Sequence, residues 1–254
     1  MLSILLAVGL FPASGPLQEP AYQPTWESLN GHDTPQWFKD AKFGIFIHWG
    51  VYSVPAFCDT STYSEWYQYW CDSGAHDGLE RSFHARNYGE DFQYRDFAPL
   101  FKAEMWDPEE WADILQRSGA RYMVLTSKHH DGFCLWPNQE ASLARGYPWN
   151  SVETGPGRDL VGELLEACKA KGVRPGLYYS FMEWHNPLYE NDKARYVDEV
   201  MIPQIQELFQ KYQPQVFWPD GEWDHPDNLW KSREILAWIY NHAEDPELLA
   251  VNDR

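Results

Sequence analysis

Residues 42–50 read KFGIFIHWG, an apolar run that ends on a titratable ring, His48, and a tryptophan. A strand buried on both faces reads as a near-continuous apolar segment, so a histidine at its far end is the unexpected feature. The pattern recurs four times. Residues 122–127 (YMVLTS) run into KHHDG, and 173–181 (VRPGLYYSF) carry Tyr178 and Ser180 towards their end. Residues 215–218 (QVFW) lead into Pro219 and Asp220, and 248–252 (LLAVN) into Asp253 and Arg254.

Helical stretches separate these runs. Residues 108–119 open with Asp107 as N-cap and Pro108 at the first helical position, carry Trp111, Ile114 and Leu115 on one side, and stop at Gly119. A second helix is expected over 159–172, capped by Asp159, and a third over 192–212, which Pro203 must kink or split. A fourth is expected over 228–241. Strand and helix in alternation predict a parallel α/β sheet, either doubly wound or closed as a (β/α)8 barrel. No glycine-rich phosphate loop follows any strand, and polar residues at successive strand ends favour the barrel, where active sites are built. About five to six strands fit before Arg254, so the sequence predicts a truncated barrel. Residues 52–107 are expected to form a long loop over its mouth.

Side chains alternate along a strand, which sorts the candidates by face. Gly44, Phe46 and His48 share one face, as do Gly176, Tyr178 and Ser180. Val216, Trp218 and Asp220 form another such set, and Ala250, Asn252 and Arg254 the last. His129 and His130 must point oppositely unless the backbone leaves strand geometry. Asp220 stands out, because a carboxylate ringed by Phe217, Trp218 and Trp223 is costly to bury unless paired or used. The competing reading is a turn cap, since Asp-Gly is a turn dipeptide. Three histidines also raise the question of zinc, but no ligand spacing beyond Asp131 supports it, so neither metal nor cofactor is expected.

Composition narrows the ligands. A net charge of −18 repels nucleic acid and anionic membrane, leaving neutral or cationic partners. Fourteen tryptophans and fifteen tyrosines fit either a large aromatic core or flat rings that grip sugar faces. Residues 1–15 (MLSILLAVGLFPASG) read as a signal peptide, although no basic residue precedes the apolar run. The four cysteines form no CxxC pair. Cys58 and Cys71 could bridge in an oxidising compartment, and Cys168 looks like a core thiol. No N-glycosylation sequon is present.

The segments WFKDAKFGIFIHWGVYSVPAF, SEWY, KHHDGF, GLYYSFMEWHNPLY, FWPDGEW and VNDR, in this order, resemble the α-L-fucosidases of glycoside hydrolase family twenty-nine, most closely the animal lysosomal type. The resemblance covers roughly residues 25–254. It implies an exo-acting, retaining hydrolase that removes terminal α-L-fucose from glycoproteins or glycolipids, with Asp220 as nucleophile. His48, Glu65, Trp66, His129, His130 and Tyr178 fall at fucose-hydroxyl ligands, with Arg254 beside them. Phe46 and Trp218 fall where the family packs on the C5 methyl group. The family's acid/base generally lies beyond the VNDR motif. Glu65 and Glu222 are the weaker candidates within the chain, and Pro219 replaces a residue that is usually small and polar. Residues 16–254 are then the N-terminal part of the catalytic domain, without the barrel's end and the family's C-terminal β-sandwich. The partners implied are fucosylated glycans, met in the lysosome or outside the cell, and a homo-oligomer is compatible with the sequence. The alternative is a truncated, non-catalytic fucose-binding protein.

Overall fold

The computed structural model describes residues 20–252, so the expected signal segment and Arg254 lie outside the described residues. Five strands form one sheet: β1 Gly44–Ile47, β2 Tyr122–Lys128, β3 Arg174–Ser180, β4 Val216–Asp220 and β5 Ala250–Val251. Every pairing is parallel and the spatial order is β1-β2-β3-β4-β5. A doubly wound sheet reverses its strand order at a switch point, and this one does not. The chain is therefore a TIM-barrel-like α/β arc, the fold class expected. Among the described residues no helix is long and apolar enough to cross a membrane.

The helices that matter are α1 Tyr67–Ser73, α2 Leu79–Tyr88, α3 Pro108–Arg117, α4 Leu160–Ala170, α5 Ile202–Tyr212 and α6 Ser232–His242. Asp107 and Asp159 cap α3 and α4 by accepting the N–H groups of Glu110 and Gly162. Pro203 does not split its helix: the backbone stays helical from Lys193 to Tyr212, and a π-helical turn, Val197–Met201, lies directly before α5, whose first turn holds the proline. The helix expected over 228–241 is broken at Lys231, whose φ of 54° separates Asp227–Trp230 from α6. Residues 52–107 are not a plain loop. They fold into α1, α2 and 3-10 turns around Tyr67, Phe83, His84, Phe92 and Phe97, whose rings pack against one another.

Register carries the alternation from strand to strand. Gly44 pairs with Tyr122, Phe46 with Val124, Val124 with Gly176, Tyr178 with Trp218 and Ser180 with Asp220. One face therefore holds Phe46, Val124, Tyr178, Val216, Trp218 and Ala250, a small cluster on the barrel-interior side. The other face joins the helices in a larger core with Leu125, Leu177, Phe217, Leu164 and Phe209. Gly176 is small of necessity, because a Cβ there would lie 2.7 Å from both the Met123 carbonyl oxygen and Val216 Cβ.

The pairing of Cys58 with Cys71 is corrected, for both are free. Cys71 packs beside Tyr67, and burial pushes its thiol up to about 12. Cys168 is buried in α4, as expected.

Candidate active site

The inner-face residues converge at the C-terminal ends of β1 to β4. Asp220, the last residue of β4, is only 2% exposed. Its Oδ2 accepts the Tyr178 hydroxyl at 2.5 Å, and His130 Nε2 lies 3.8 Å from the same oxygen. Ser180 donates its own hydroxyl to the Met182 carbonyl at 2.7 Å, so its oxygen accepts from His130 Nδ1 at 2.6 Å. That chain fixes the imidazole proton on Nδ1 and leaves Nε2 facing the carboxylate.

Both histidines reach this site because β2 is irregular. Its register shifts between Thr126 and Lys128, so Lys128 pairs with Tyr179 on the helix side. A turn closed by Gly132 N–H on the His129 carbonyl follows at once. The His129 and His130 ring centroids then lie 4.2 Å apart, with His129 stacked on Tyr178 at 5.7 Å and 5.6 Å from His48. Thr126 Oγ1 accepts Trp49 N–H and donates to the Trp49 carbonyl, which pins the end of the FIHWG segment to β2.

Phe46 builds an apolar wall. Its ring stacks on His48 at 4.9 Å, meets Trp218 edge-on at 5.1 Å and approaches Tyr178 at 5.8 Å. Trp66 stands across the mouth, 5.3 Å edge-on from His130 and 5.1 Å from Trp184. Glu65 precedes it, half-buried, in the turn Ser64–Trp66, and its charge reaches Tyr52. Burial, more than that charge, pushes the Tyr52 hydroxyl up. Glu222 follows Asp220 by two residues, in the turn after β4. It lines a 270 Å³ groove with Phe181, Phe217, Trp230 and Ile235, residues of the helix-facing core.

Behind the site lies a charged cluster that the sequence reading did not single out. Lys128 Nζ is fully buried and donates to Glu183 Oε2 at 2.8 Å and to the hydroxyls of Tyr179 and Tyr196, with Gln204 Oε1 at 3.2 Å. Arg145 meets the other Glu183 oxygen at 3.3 Å and also donates to the carbonyls of Asp131 and Trp184. Burial alone would push the Glu183 carboxyl up, but Lys128 and Arg145 outweigh it and hold the group below the usual carboxylate range. At Asp131, burial wins over the hydrogen bond from Tyr94 and pushes the carboxyl up. The cluster ties the His130 turn to the Trp184 loop. Its only sequence signal is a lysine and a glutamate where apolar strands end.

The constellation offers a buried carboxylate, several hydrogen-bonding rings and an apolar wall in one concave rim. Such a rim suits a neutral polyhydroxylated ligand with one apolar edge. Among the described residues no group of three His, Cys, Asp or Glu side chains is arranged to hold a metal ion.

A family model described as alpha-L-fucosidase matches residues 10–254. The chain is similar to the tissue alpha-L-fucosidase of Rattus norvegicus, 44% identical over 99% of this chain and 53% of that protein. It resembles the solved structure of Thermotoga maritima alpha-fucosidase in complex with fucose, at 40% identity and a TM-score of 0.80, covering 92% of this chain and 56% of that one. It also resembles a GH29 alpha-L-fucosidase of Bacteroides thetaiotaomicron in the form of a trapped covalent intermediate, at 26% identity and a TM-score of 0.68, over 86% of this chain and 48% of the other. The chain spans about half the length of the curated relatives it matches.

Proposed function

Because the chain belongs to the alpha-L-fucosidase family, we propose that the whole protein is an exo-acting, retaining α-L-fucosidase in which Asp220 is the nucleophile. One observation carries the assignment: a carboxylate 2% exposed at the end of β4, facing the barrel interior, with Tyr178 hydrogen-bonded to one oxygen. A carboxylate is costly to bury, and a buried one at the end of a barrel strand, among rings that can hydrogen-bond a sugar, is a candidate for chemistry.

The Asp220 carboxylate attacks the anomeric carbon, the glycosidic C–O bond breaks, and the departing oxygen takes a proton from a second carboxyl group. A glycosyl ester on Asp220 results. Water then attacks the same carbon while the second group, now a carboxylate, takes its proton, and Asp220 is released. The similar Bacteroides enzyme, known as a trapped covalent intermediate, supports this course. The second carboxyl group is expected beyond Arg254, and Glu65 and Glu222 are the weaker candidates within the chain.

His48, His129, His130, Tyr178, Glu65 and Trp66 hydrogen-bond the fucose hydroxyls. Rings holding one N–H and one lone pair can both donate to and accept from a sugar. Phe46 and Trp218, in edge contact, take the C5 methyl group, which a hydroxymethyl-bearing sugar would crowd with a polar atom. Glycoprotein and glycolipid glycans are the substrates, reached by a secretory or lysosomal route through the leader at residues 1–15. Asp220→Gly in the full-length protein should abolish release from an aryl fucoside, and azide should restore part of it. Unimpaired hydrolysis would sink the nucleophile assignment. Quenching of tryptophan emission by fucose with no turnover of any fucoside would favour a binding protein instead.

A further inference from the structure

The aromatic rim does not stop at Trp66. Trp184 lies 5.1 Å from both the His130 and the Trp66 rings. Tyr69, on α1, leans on Trp184 at 5.5 Å with a 31° tilt and meets Trp66 edge-on at 5.3 Å, yet the residue stays 41% exposed. Trp70 also meets the ring edge-on at 5.1 Å, so Tyr69 is held by three rings while part of it stays open to solvent. Asp72 follows one turn later on the same helix, so it shares the Tyr69 face. It meets His185, the chain neighbour of Trp184, at 2.8 Å between Oδ2 and Nε2.

Two aromatic and two polar side chains are thus matched across the gap between α1 and the loop after β3. His185 is held there at a φ of 59°, a left-handed conformation that costs energy in a residue with a Cβ. Glu190 Oε1 also lies 3.8 Å from its Nδ1. The His185–Asp72 pair is about half exposed, which leaves both groups able to exchange solvent for a ligand's hydroxyls.

Spacing indicates what such a ligand is. From Asp220 the path runs through His130, 3.8 Å away, to Trp184 and then Tyr69 in steps of about one ring each. Those three contacts leave room for two linked pyranose units, fucose at Asp220 and a second sugar towards Tyr69. We infer that Tyr69, Trp184, Asp72 and His185 form the subsite for the leaving-group sugar, a neutral pyranose whose apolar face stacks on Tyr69 while Asp72 accepts from, and His185 donates to, its hydroxyls. This rests on the hydrolase reading above and adds to it the recognition of the second sugar. Beyond the subsite a groove of 750 Å³, lined in part by Gln68, Asp72, His84, Gln93 and His185, gives further units of a glycan room to continue.

The test separates the two readings by leaving group. α-L-Fucosyl fluoride loses only fluoride and cannot reach Tyr69, whereas a fucosyl disaccharide must. In the full-length protein, Tyr69→Ala should lower kcat/KM roughly tenfold for whichever is cleaved faster of the (1→2)-linked galactose and (1→6)-linked N-acetylglucosamine disaccharides. Fucosyl fluoride turnover should stay within about twofold, and Tyr69→Trp should keep disaccharide cleavage near the unsubstituted rate. Equal losses on fluoride and disaccharide, or none on the disaccharide, would overturn the subsite. Failure of the unsubstituted protein to turn over fucosyl fluoride would overturn the hydrolase reading itself.

Discussion

Replacing Lys128 by methionine tests whether the charged cluster behind the site holds the fold together there. Methionine keeps most of the stem volume and removes only the ammonium, so packing changes little. Glu183 would lose its 2.8 Å partner but keep Arg145 at 3.3 Å and Asn186 at 2.9 Å. The Tyr179 hydroxyl would still donate to Gln204, and the Tyr196 hydroxyl to Glu183. Breaking a buried pair from one side typically costs about 3–5 kcal/mol, and the remaining partners place this variant at the low end, about 3 kcal/mol. The effect has a pH signature. Glu183 is held below its unfolded value, so its contribution is full above an unfolded pKa of about 4.3 and is lost as pH falls through the lower folded value. Without Lys128, burial counts for more and Glu183 protonates at a higher pH than in the parent. The stability gap should therefore be widest near pH 7 and narrow as the pH falls towards about 4, measured by urea unfolding of the full-length protein. A loss under about 1 kcal/mol at neutral pH, or a gap that widens on acidification, would refute the reasoning.

Tyr178→Phe removes the 2.5 Å hydrogen bond to Asp220 and should lower kcat on an aryl fucoside by roughly tenfold to a hundredfold, since bonds to charged groups contribute about 1.5–3 kcal/mol; steady-state kinetics checks it, and an unchanged kcat would contradict it. Gly176→Ala forces a Cβ to within 2.7 Å of a β2 carbonyl oxygen and of Val216, and should lower unfolding stability by about 1–3 kcal/mol in urea.

The inner face of the sheet was legible in the sequence because parallel strands in register preserve a period of two. Gly44 and Phe46, Gly176 and Tyr178, and Val216, Trp218 and Asp220 fall on one side as alternation requires. His129 and His130 could not be resolved that way, since the irregularity at Thr126–Lys128 is a backbone property with no composition signature. The helices between residues 67 and 88 were missed because interlocking aromatic contacts, rather than an apolar stripe, hold them. Cys58 and Cys71 are thirteen positions apart in sequence, and sequence proximity does not set the directions a disulfide needs. The Lys128 cluster draws on β2, β3, the loop after it, the helix at Lys193–Tyr196 and α5, and no local pattern links residues so far apart. The aromatic count itself divided: Trp136, Trp149 and Trp230 are fully buried, while Trp66, Trp184 and Trp218 surround the rim.

Covalent trapping tests the central claim most directly. The full-length protein, inactivated with 2-fluoro-fucosyl fluoride and digested, should carry one fluorofucosyl ester on the peptide containing Asp220, located by tandem mass spectrometry. An adduct on another carboxylate, or turnover of fucosides with no adduct at all, would contradict the account.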